Sequence, residues 1–178
     1  MSETNKKWYM VTLIGKDRKG IVSHVTSALY EGGGNLGETS MMRLGGNFSI
    51  MMMVEFSGRT KELHDVLSSV TDSMALHLHI DKIDAKLHEH IIPDVRISVY
   101  GADRAGIVSK VTGGLAEAGL NILDLESDVA GGRDKPIYIM HIEGQASEGI
   151  KSLESVLQIV KDEDGIEAEL VEIDTLIG

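Results

Sequence analysis

The chain is written twice. Residues 15–35, GKDRKGIVSHVTSALYEGGGN, shifted by 86 positions fall without a gap on residues 101–121, GADRAGIVSKVTGGLAEAGLN, with thirteen identical pairs that include Gly15/Gly101, Asp17/Asp103, Gly20/Gly106, Ile21/Ile107 and Asn35/Asn121. The same shift sets Gly45-Gly46 over Gly131-Gly132 and Gly58 over Gly144, so the register is expected to hold through the following strands. A duplicated segment must form a self-contained fold within half of the 178 residues. The junction falls near KLHEHIIPD (86–94), giving a first domain over 1–88 and a second over 89–178.

Each copy has the same order of periodicities. WYMVTLI and VRISVY read as strands, the second alternating Val95, Ile97, Val99 with Arg96, Ser98, Tyr100. A helix follows, because Ile21, Val22, Val25, Leu29 and Ile107, Val108, Val111, Leu115 recur at helical spacing, with Asp17 or Asp103 placed to cap its N-terminus. Two strands around a Gly-Gly turn come next. A second helix has Leu63, Val66, Leu67, Val70 or Leu153, Val156, Leu157, Val160, and ALHLHIDKI or IEAELVEI ends the copy as a strand. The order βαββαβ predicts an α+β protein of two tandem ferredoxin-like domains, each an antiparallel sheet with two helices on one face.

That order disposes of one motif. Gly32, Gly34 and Gly37 match G-x-G-x-x-G, but the run follows a helix and precedes a strand, the reverse of a dinucleotide loop. It reads as a helix stop.

Charge narrows the partners. The net charge is -11, and residues 1–86 hold ten Lys/Arg and ten Asp/Glu while residues 87–178 hold seven and eighteen, so all of the excess acid lies in the second half. Nucleic-acid backbones are bound by cations, and this balance opposes direct contact with them. The N-terminal apolar stretch is too short for a signal or membrane helix, which points to a cytoplasmic protein with no membrane association. With no cysteine, disulfides, thiolate zinc and a cysteine nucleophile are excluded.

Asp17 and Asn35 recur together as Asp103 and Asn121, flanking the first helix of each copy. One reading is structural, with Asp as helix cap and Asn in a left-handed turn. The other is a site for a free amino acid: the helix N-terminus near Gly20 and Ile21 takes the carboxylate, Asp17 faces the ammonium, and the Asn35 amide bridges to either group. The candidate ligand residues are Asp17, Gly20, Ile21, Asn35 and, in copy two, Asp103, Gly106, Ile107, Asn121. Arg18 and Arg104 are second choices for a carboxylate. No metal or cofactor is expected, although His77 and His79 share one face of a strand and His88 and His90 follow. Copy two has Ala168 and Leu170 around its corresponding strand. Met51 and Met53 alternate with Met52, so one set must face away from the helices, a face suited to another sheet or a partner.

The stretch GKDRKGIV…GGGNLGETSMMRLGGNFSIMMMVEFSG resembles an ACT domain, a βαββαβ module that senses small molecules. With DRxGIV, RLGGNFS and a second DRAGIV…NI in one chain, the tandem arrangement resembles the glycine cleavage system transcriptional repressor family. The resemblance implies amino-acid ligands bound where two ACT domains meet, near the loop before helix one and the start of strand two. Gly15 and Asp17 stand where the serine-binding ACT domains of phosphoglycerate dehydrogenases have histidine and asparagine, so serine specificity does not carry over. The expected function is a non-enzymatic regulator responding to glycine or a similar small amino acid, acting on glycine cleavage through a protein partner such as a DNA-bound transcription factor, and forming homo-oligomers. The alternative is a regulatory subunit of an amino-acid biosynthetic enzyme.

Overall fold

The computed structural model describes residues 6–84, 91–102, 106–132 and 135–173. The chain divides into two compact units, Met1–Glu89 and His90–Gly178. In the first, β1 (Lys7–Lys16), α1 (Ile21–Glu31), β2 (Asn35–Leu44), β3 (Asn47–Phe56), α2 (Thr60–Met74) and β4 (His77–Ile83) form one antiparallel sheet of order β2-β3-β1-β4. In the second, β5 (Val95–Ala102), α3 (Ile107–Glu117), β6 (Leu120–Gly132), β7 (Lys135–Ala146), α4 (Ile150–Asp164) and β8 (Glu167–Glu172) give the order β6-β7-β5-β8. Each unit is the ferredoxin-like βαββαβ arrangement.

The cores follow the periodicities. Tyr9, Val11 and Leu13 on β1 and Phe48, Ile50, Met52 and Val54 on β3 alternate inward and meet Val25 and Leu29 of α1 and Leu63 and Leu67 of α2. The second unit repeats this with Val95, Ile97, Val99, Met140, Ile142, Val111, Leu115, Leu153 and Leu157 in a separate cluster. Because strand side chains alternate, Met52 is fully buried while Met51 is half-exposed on the opposite face.

Two expectations are corrected. Asp17 does not cap α1: the N-cap is Gly20 at φ 87°, and the helix start has no side-chain capping bond. Gly106 at φ 89° does the same for α3. A left-handed residue at the cap turns the chain into the helix without a side-chain acceptor, and glycine holds that conformation without the steric cost of a Cβ. Gly20→Ala is accordingly expected to lower the stability of the first unit by roughly 1–2 kcal/mol, measured by urea unfolding. A loss below a few tenths would contradict the strain.

The second correction concerns register. Gly45 and Gly46, at φ 57° and 78°, close the two-residue turn between Leu44 and Asn47. In the second unit Gly131 and Gly132 instead pair with Pro136 and Lys135, so the turn moves beyond them. Each strand of this hairpin is longer, β6 having 13 residues and β7 having 12 against 10 and 10. From β3 onward the structural equivalence therefore shifts from 86 to 90 positions: Leu13 pairs with Ile50, and its counterpart Val99 pairs with Met140. Val54, not Gly58, is the counterpart of Gly144.

Candidate functional site

The β1–α1 corner of the first unit is built from the end of β1, the cap of α1 and the β2–β3 turn. The first helical bond runs from the His24 amide to the Gly20 carbonyl at 2.9 Å, so the amides of Ile21, Val22 and Ser23 precede it and lack helical acceptors. Ile21 is only 2% exposed. Its side chain belongs to the core and its amide alone can serve a ligand; buried Ile107 stands likewise in the second unit. The His24 ring places Nδ1 2.6 Å from the Gly20 carbonyl, on the exposed side of the helix start.

Asp17 is fixed twice. Its amide donates to the Gly46 carbonyl at 3.2 Å, which ties the loop to the hairpin turn. Its carboxylate forms an ion pair with Arg43, Oδ2 to Nε at 2.6 Å. Arg43 stands outside the candidate residues that the sequence suggests. Arg18 is exposed and makes no ion pair among the described residues.

The structure does not bring Asp17 and Asn35 of one unit together. Asn35 pairs with Glu55, which pairs with Trp8 near the start of β1, while Lys16 at the end of β1 pairs with Asn47. Eight residues of strand separate the two levels, on the order of 26 Å at the usual strand rise. The reason is topological: β1 runs one way, α1 returns, and β2 starts where β1 started. Asn121 likewise lies beside Gln145, beyond the start of β5. Neither asparagine takes the left-handed conformation considered for it, because among the described residues Ala75 is the only non-glycine with positive φ. Gly33 and Gly119 hold the turns after the helices instead. Both asparagines are exposed at the beginning of a strand. Asp103 lies outside the described residues.

The faces away from the helices differ between the units. In the first, Met51 and Met53 share this face with Trp8, Met10 and Ile14. In the second, Asp124 pairs with Glu143, Glu126 with His141 and Asp128 with Ile139, and Glu167 and Glu169 pair with Tyr100 and Ser98. Arg96 offsets one of these charges through its 2.6 Å contact with Glu143. Among the described residues no cluster of three His, Asp or Glu is arranged to hold a metal; His79 instead contacts Asp81 at 2.8 Å. No helix of the described residues is long and apolar enough to cross a membrane.

Two matched stretches, each with an antiparallel four-stranded sheet backed by two helices, define a tandem regulatory module. Two ACT-domain family models match the chain, one over residues 8–81 and the other over residues 95–165, together more than half of it, and the protein belongs to the ACT-domain family. A relative, UPF0237 protein lin0537 of Listeria innocua, is 34% identical over 76 residues, 41% of this chain and 85% of that protein. A solved structure of a protein of unknown function from Galdieria sulphuraria is similar over 95% of this chain and 99% of its own, with 24% identity and a TM-score of 0.78. A structure provisionally named a glycine cleavage system transcriptional repressor is similar over 95% of this chain and 98% of its own, with 17% identity and a TM-score of 0.69. At these identities the structural likeness speaks for the fold.

Proposed function

We propose that the protein is an amino-acid-responsive regulator, without catalytic activity of its own, that binds glycine or a similar small amino acid and acts on glycine cleavage through a DNA-bound protein partner. The observation that supports the reading is the β1–α1 corner, where an aspartate carboxylate lies three residues before a helix N-terminus whose first amides have no side-chain cap. A zwitterion needs both signs at short range. Since Asn35 lies at the far end of the same sheet, its amide would serve a ligand only from a second copy of the chain, which makes self-association part of the proposal. The half-exposed Met51 and its neighbours on the open face supply apolar surface for such contacts.

A thermal-shift screen of the twenty amino acids tests the reading, because a ligand selective for the folded state raises the midpoint. A rise with glycine or another small amino acid is expected; no rise with any of the twenty at millimolar concentration would overturn the ligand half. Direct DNA binding is not part of the proposal, given the exposed carboxylates on β6 and β8. Purified protein is expected to leave promoter DNA unshifted at physiological salt, and a clear shift by the protein alone would refute this. Co-purification from native cells separates a DNA-bound partner from a biosynthetic enzyme.

A further inference from the structure

We propose that Arg43 and Asp17 form a two-signed charge site that recognises the carboxylate and the ammonium of one α-amino acid, and that the first unit alone carries it. The inference deepens the amino-acid reading and rests on it. Arg43 is at the end of β2, opposite Phe48, which pairs with Gly15 at the end of β1. This places the guanidinium over the β1–α1 loop, where it meets Asp17 through Nε at 2.6 Å.

Among the described residues Arg43 has no other charged partner, and its side chain is 65% exposed, against 28% for Asp17. A guanidinium has two donor edges, and engagement through Nε leaves the edge formed by the two terminal nitrogens for a second carboxylate in bidentate geometry. Asp17 contacts Arg43 through Oδ2, so Oδ1 remains for an ammonium. A zwitterion can thus lie along the pair with opposite charge at both of its ends, and the ion pair need not break.

Fastening the hairpin is not a sufficient account of the pair. The Asp17 amide already bonds the Gly46 carbonyl, and an exposed ion pair adds little stability. The second unit supplies the contrast. Val129 pairs with Tyr138, which pairs with Gly101, so it occupies the place of Arg43. Aspartate recurs at position 103 in the sequence, while valine holds the register position of Arg43. The expected stoichiometry is therefore one amino acid per chain.

The test is calorimetric titration of the full chain with glycine and glycinamide, or with the amino acid that raises the midpoint most and its C-terminal amide. Wild type is expected to bind one amino acid per chain and to prefer it over the amide roughly ten- to a hundredfold, the range for a charge-assisted bond. Arg43→Ala and Arg43→Gln should abolish this preference by weakening the amino acid while leaving the amide nearly unchanged, and Arg43→Lys should restore part of it. Their unfolding midpoints should stay close to wild type. Retention of the preference in both neutral variants, or two equivalent amino acids per wild-type chain, would overturn the inference and leave amino-acid binding standing. If no amino acid binds wild type, the functional reading falls and this inference falls with it.

Discussion

Leu13→Ala is expected to lower the stability of the first unit by about 2–5 kcal/mol. Leu13 is fully buried and lies mid-sheet, with Ile50 across from it on β3 and Leu78 on β4. Deleting its branched end removes buried apolar surface and leaves a cavity that two flanking strands hold open. Leu13→Met, which keeps the volume, should cost less than about 1.5 kcal/mol. Urea unfolding with hydrogen exchange along β1 and β3 reads both variants, and a Leu13→Ala loss under about 1 kcal/mol would mean that the core is not closed at this point.

Asp17→Ala is expected to weaken amino-acid binding by roughly tenfold to over a hundredfold, or about 1.5–3 kcal/mol, because it removes the charged partner of the ammonium. Stability should fall by less than about 1 kcal/mol, since the variant loses an exposed ion pair with Arg43 and no capping bond. A helix cap would show the opposite pattern, lower stability with affinity unchanged. Asn35→Ala should cost about 1 kcal/mol of affinity through a neutral hydrogen bond, and then only in the self-associated protein. Calorimetry and unfolding midpoints on both variants read these outcomes; undiminished affinity in Asp17→Ala would move the site elsewhere.

The fold was legible because duplication gave every periodicity a second reading. Val25 and Leu29 recur as Val111 and Leu115, and the alternating set Val95, Ile97 and Val99 read on β5 is the buried one. The N-terminus of α1 was misread for a local reason. Aspartate favours capping in general, but the positive φ of Gly20 already turns the chain into the helix, and no local pattern reports that angle. The hairpin was misread because Gly-Gly is a turn signal in both copies, yet Lys135 and Pro136 continue the ladder past the second pair of glycines.

The candidate site was legible only by halves. The recurrence of Asp17 and Asn35 together suggests a pair, although a strand, a returning helix and a second strand must separate their levels by nearly the length of β1. Arg43 escaped notice because its partner is 26 positions away in sequence and meets it only when the hairpin closes over β1. One signal was present: arginine precedes the first Gly-Gly by two residues, and valine holds that place before the second.

Amide chemical-shift mapping on the isotope-labelled full chain, during titration with the amino acid that stabilises it most, tests the location of the site most directly. The amides of Ile21, Val22 and Ser23 and those of Asp17 and Arg43 are expected to move together and to saturate with the calorimetric affinity. Saturating binding that leaves this corner unmoved while amides elsewhere shift would contradict the account.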